Sequence, residues 1–138
     1  MAEQINALLV HTRNETFHDL AMVLRALTIN VMHAQDYREA SLHLRKKDGV
    51  DLVFAGADLP EGGWADILAL ARQSKNFLPV IVVSRMVDVG LYLDALGKGA
   101  FDFVAPPFLT SDIAHIVRSA IYKELVSVKQ DMVAPPAA

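Results

Sequence analysis

The chain has 138 residues, 53 % of them apolar and 21 % charged, a net charge of −3 and no cysteine. One domain with a sizeable core is the expectation at this length, and the apolar fraction excludes a disordered chain. The mixed, slightly acidic charge gives no electrostatic footprint for nucleic acid, and the lack of cysteine excludes disulfides, thiolate metal sites and cysteine nucleophiles.

The opening Met1-Ala2-Glu3-Gln4 has no basic, apolar leader pattern. No apolar run approaches the ~20 residues that cross a bilayer. A cytoplasmic protein without a membrane part is therefore expected. In chain order, Ala7–Val10 predicts a buried strand, and Phe17, Leu20, Leu24 and Leu27 follow at helical spacing behind the cap residue Asn14. Asn30–His33 predicts the second strand, and Tyr37, Ala40 and Leu44 a second helix opened by Asp36. Leu52–Ala55 predicts the third strand, and Ile67, Leu70 and Ala71 the third helix. Val80–Val83 is followed by Val89, Leu93 and Leu96, which mark a fourth helix capped by Asp88. Phe101–Val104 precedes a long fifth helix carrying Ile113, Ile116, Val117, Ala120 and Ile121, with Thr110 or Ser111 before it. Residues 1–130 read as one domain, and 131–138, rich in Ala and Pro, as a frayed tail or the start of a linker.

Near-continuously apolar strands alternating with helices predict a parallel sheet covered on both faces, an α/β protein of (βα)5 type. Ligands of such sheets sit beyond the carboxyl ends of the strands. The residues to inspect are therefore His11 and Thr12, then Gly56 and Asp58, then Ser84 and Arg85, then Pro106 and Pro107. They hold no nucleophile–base pair, no paired carboxylates and no metal cluster, and the chain has no phosphate-binding glycine motif. No enzyme is expected. Asp58 reads as a loop residue that accepts from nearby backbone N–H groups. Arg85 reads either as a solvated side chain or as a contact for an anion.

Ala95-Leu96-Gly97-Lys98-Gly99-Ala100-Phe101-Asp102-Phe103-Val104-Ala105-Pro106-Pro107-Phe108 resembles a receiver-domain pattern of response regulators, differing in one lysine. The resemblance covers residues 5–125. Ser84 and Pro106 lie 22 residues apart, and Thr12 and Gly56 44 apart, which suits the family's active-site positions without gaps. It implies a flavodoxin-like, doubly wound, five-stranded sheet of order 2-1-3-4-5. It also implies a two-component signalling role. Receivers carry acidic Mg²⁺ ligands at the positions of His11 and Thr12, the phosphoacceptor aspartate at Gly56, a hydroxyl at Ser84, a lysine at Pro106 and a proline after a cis bond at Pro107. Here only Ser84 and Pro107 match, so the Mg²⁺ site is expected to be lost and no cofactor is expected. Phe103 stands at the switch-aromatic position, as a switch ring or as a half-buried packing residue.

The resemblance thus implies a degenerate receiver that acts by protein contact, with a signalling partner or a second copy of itself. The contact face would be made by the fourth helix, fifth strand and fifth helix. Leu91, Tyr92 and Lys98 are its expected exposed residues on the fourth helix, and Tyr122, Lys123 and Val126 on the fifth. Two alternatives stay open: residual phosphotransfer to Asp58 as a displaced acceptor, and sensing of a small anion by Ser84 and Arg85.

Overall fold

The computed structural model describes residues 4–12, 14–45, 49–60, 63–73 and 78–132, with side chains of the last helix described as far as Tyr122. Five strands alternate with five helices: β1 (Asn6–Val10), α1 (Glu15–Ala26), β2 (Asn30–Ala34), α2 (Tyr37–Arg45), β3 (Leu52–Gly56), α3 (Gly63–Gln73), β4 (Val80–Val83), α4 (Val89–Gly97), β5 (Asp102–Val104) and α5 (Thr110–Met132). The sheet is parallel throughout, in the order β2-β1-β3-β4-β5. The expected fold is the observed one. Strand ends differ by a residue at most, and the last helix begins at Thr110 itself rather than after it. Of the expected tail at 131–138, Asp131 and Met132 continue α5, and 133–138 lie outside the described residues.

The period-two alternation of the strands divides the core in two. Ala7, Leu9, Phe54, Ile81 and Val83 face α1 and α5, where they meet Phe17, Leu20, Leu24, Ile113 and Val117. Leu8, Val10, Val53, Ala55 and Val82 face the other way, onto Trp64, Ile67 and Leu68 of α3 and Ala95 of α4. Both faces of β1, β3 and β4 are thereby buried, which is why these strands read as unbroken apolar runs.

The helix starts follow their caps. Asn14 Oδ1 accepts from the Phe17 N–H at 3.0 Å, Asp88 Oδ1 from the Leu91 N–H at 3.0 Å, and Asp36 Oδ1 from the Glu39 N–H at 2.9 Å. Two helices end in the same Schellman geometry. In α4 the Ala100 N–H bonds the Ala95 carbonyl and the Gly99 N–H the Leu96 carbonyl, with Gly99 at φ +105°. In α1 the Ile29 N–H bonds the Leu24 carbonyl and the Thr28 N–H the Arg25 carbonyl, with Thr28 at φ +60°. A β-branched residue thus occupies the left-handed position that glycine fills in α4.

The phase of α4 differs from the sequence expectation. Val89 and Leu93, expected on the buried stripe, are 65 % and 61 % exposed. Leu91, expected outside, packs half-buried against the core, and Ala95 is fully buried. The helix is apolar nearly all round, so its period does not single out one face. Lys98 is held on the surface: its ammonium reaches Asp94 at 3.4 Å and lies 5.3 Å from the ring centre of Trp64.

Candidate functional site

The carboxyl ends of β1 and β3 lie side by side, with Val10 in register with Ala55. His11 follows β1 at once. Its Nδ1 lies 2.9 Å from the Thr12 carbonyl oxygen, which also accepts from Asn14 Nδ2 at 3.0 Å. A carbonyl only accepts, so the proton of neutral His11 sits on Nδ1 and leaves Nε2 as an acceptor. His33 Nδ1, 3.0 Å from that Nε2, is then the donor. The two imidazoles meet edge to face, with ring centres 5.2 Å apart.

The other face of His11 stacks on Phe17, with centroids 4.3 Å apart and planes 7° from parallel. Phe17 is placed by the Asn14 cap, which accepts from its own N–H. It points under the end of β3. A Cβ built on Gly56 would come 3.2 Å from Phe17 Cε2, 3.2 Å from Asp58 Oδ1 and 3.5 Å from the Val10 carbonyl oxygen. A side chain at position 56 would therefore press on a buried aromatic ring and on the Asp58 carboxylate. Asp58 itself is exposed in the loop after β3. Glu61 and Gly62, between this loop and the start of α3 at Gly63, lie outside the described residues.

Ser84 continues β4. It is buried, its N–H bonds the Val104 carbonyl at 3.0 Å, and its Oγ lies 3.4 Å from the Met86 N–H. Arg85 is exposed next to it. After β5, Pro106 is half-buried, and the Pro106–Pro107 peptide bond is cis. Phe103 is half-buried, packs against the α3 side of the core, and meets Tyr92 edge to face at 5.9 Å.

The structure brings His11, Phe17 and Gly56 into one cluster. Ser84 and Pro106 flank it on the next strands of the sheet. The donors at these strand ends do not suit Mg²⁺, which needs hard oxygens in octahedral array. His11 offers nitrogen, and both of its nitrogens are already engaged; Gly56 offers no side chain at all. Among the described residues, no group of three or more His, Asp or Glu side chains is placed to hold a metal ion.

Two features escaped the sequence reading. His33 lies at the end of a strand predicted as plain core, and only the parallel pairing of Leu9 with His33 brings it beside His11. Phe17 fits a helical core stripe equally well whether or not its ring reaches position 56.

A doubly wound five-stranded parallel sheet in the order β2-β1-β3-β4-β5 defines a CheY-like fold. A family model for the response regulator receiver domain matches residues 7–118, and the chain belongs to that family. It is 25 % identical over 104 residues to the cell cycle response regulator CtrA of Brucella ovis, an alignment covering 75 % of this chain and 44 % of that protein. The chain thus spans less than half the length of the curated relatives it matches. Among solved structures, a response regulator from Thermotoga maritima superposes with a TM-score of 0.74 at 25 % identity, covering 87 % of this chain and 99 % of that one. The signal receiver domain of an HD domain-containing protein from Pseudomonas fluorescens gives 0.74 at 23 % identity, over 90 % and 99 %. No helix among the described residues is long and apolar enough to cross a membrane.

Proposed function

We propose that this domain is a degenerate receiver of two-component signalling, non-enzymatic and cytoplasmic, that signals through protein contact without being phosphorylated. One observation supports the reading: a Cβ at position 56 would come 3.2 Å from both Phe17 Cε2 and Asp58 Oδ1, so a side chain there crowds its neighbours. An acceptor there also needs a metal and a cation to balance the phosphoryl charge. His11, Thr12 and Pro106 supply neither.

A domain without that input still responds to whatever binds one of its conformations better. The face of α4, β5 and α5 is the contact surface proposed here. It carries Val89, Leu93 and Tyr92 on α4, and Tyr122 on α5, all exposed. Met86 and Val87 extend the apolar area at the start of α4. Lone exposed apolar side chains need no explanation; five between Met86 and Leu93 do. Lys123 and Val126 of α5 lie outside the described side chains. Sedimentation velocity across a wide concentration range tests the self-association form of this reading. A reversible dimer that Leu93→Glu abolishes supports it, and a monomer at every concentration leaves only a heterologous partner.

A second reading has one observation in its favour. Asp58 Oδ1 stands 3.2 Å from the place of a position-56 Cβ, so its carboxylate lies close to the acceptor position. Phosphotransfer to Asp58 would use that proximity, but with none of the charge partners above. Sensing of an anion by Ser84 and Arg85 has less support: the Ser84 hydroxyl lies near the Met86 N–H and Arg85 extends into solvent.

A further inference from the structure

A separate cleft of about 320 Å³ opens between α1 and the carboxyl end of β2. Its polar lining is His11, His18, His33, Arg25, Asn14 and Gln35, over a floor of Phe17 and two alanines. No carboxylate is among the described residues that line it. Glu15 and Asp19 of α1 and Asp36 after β2 sit on the adjoining elements without lining it. Among the described residues the guanidinium of Arg25 has no ion-pair partner. The volume lies at the lower end of the range for small-molecule sites.

We propose that this cleft binds a small oxyanion, the carboxylate or phosphate group of a metabolite, between the His11–His33 pair and Arg25. The inference stands apart from the proposed function, because it holds whether or not the domain is phosphorylated.

Three features favour an anion over a cation. The charged and ionisable groups that line the cleft are all basic. The hydrogen bond from His33 Nδ1 to His11 Nε2 leaves His33 Nε2 as the position that takes up a proton without breaking the pair. Finally, the His33 pKa is held below the ordinary imidazole value by burial, by His11 and by Arg25. An anion opposes the last two causes, so binding draws a proton onto His33 and tightens as pH falls. His18, His11 and Arg25 are the groups that face His33 from α1 and β1. The bound ion would touch the His11 ring that stacks on Phe17, and so would be felt at the position occupied by an acceptor in the family.

The test is a histidine ring ¹H–¹⁵N titration of the intact chain with inorganic phosphate, with succinate and with chloride, at about pH 6 and about pH 8. Saturable shifts of the His11 and His33 ring nitrogens are expected, stronger at the lower pH and absent with chloride at equal ionic strength. Phosphate and succinate as separate arms tell which oxyanion is preferred. Arg25→Gln, at an exposed position, is expected to weaken binding about tenfold, and His33→Gln to remove its pH dependence. Shifts that grow linearly and equally with chloride overturn the proposal. So do histidine ring signals that phosphate and succinate both leave unmoved, and an affinity that Arg25→Gln leaves unchanged.

Discussion

The ring of Phe17 lies against Gly56: a Cβ at position 56 would sit 3.2 Å from Phe17 Cε2. His11 stacks on the same ring. An aspartate at position 56 would crowd Phe17 and the Asp58 carboxylate.

Gly56→Asp is expected to destabilise the fold by about 2–3 kcal/mol, from overpacking against Phe17 and from a carboxylate buried without a cation. Phe17→Ala alone costs about 3–5 kcal/mol. In the double variant the two costs should fall short of their sum by about 1 kcal/mol, because the ring that the introduced carboxylate would strike is gone. Urea unfolding of the four proteins measures that coupling.

Thr28→Gly is expected to stabilise. Thr28 holds φ +60° at the end of α1, where its branched Cβ is strained, while Gly99 fills the equivalent place in α4. The strain relieved is about 1–2 kcal/mol, and the extra freedom of glycine in the unfolded chain returns about 0.5–1 of it. A net gain of about 0.5–1 kcal/mol should raise Tm by roughly 2–5 °C. A fall in Tm would mean that the Thr28 side chain contributes more than its backbone costs.

Stability should decline on mild acidification, with His33 as one source. Its pKa is lowered in the folded chain, so the unfolded chain binds more protons between the folded value and the ordinary 6.5. Unfolding free energy therefore rises with pH across that window and levels off above it. Denaturant midpoints measured from acid to neutral pH should flatten in His33→Gln. An unchanged slope in that variant would remove His33 from the account.

Leu93→Glu and Val89→Glu are expected to leave unfolding free energy within about 0.5 kcal/mol of the parent, because both positions are largely exposed. The same variants should weaken docking of a partner or a second copy by tenfold or more. Ala95→Glu on the buried side of α4 should instead unfold the helix packing. A pull-down or sedimentation assay beside a thermal melt separates the two effects.

The strands and caps were legible because each is specified locally. Asn14, Asp36 and Asp88 bond the N–H groups three residues on, and Val80–Val83 is apolar on both faces because helices cover both. The run from Ala95 to Phe108 carried the family likeness because Gly99 must turn the chain there and the strand after it must be buried. The buried face of α4 was not legible: with Val89, Leu91, Leu93 and Leu96 all apolar, only packing against β5 chooses among them. Nor was the His11–His33 pair, which joins residues 22 apart through strand pairing. The absence of an acceptor at Gly56 could be read directly; that the Phe17 ring lies against position 56 depends on a side-chain direction that periodicity does not encode.

The most direct test of the central claim is intact-mass spectrometry of the protein after incubation with a small phosphodonor and Mg²⁺, alongside a receiver that retains its acceptor. No mass gain is expected here, while the control gains one phosphoryl group. A stoichiometric phosphoryl adduct that maps to Asp58, and is lost in Asp58→Asn, would contradict the account and establish a displaced acceptor beside Gly56.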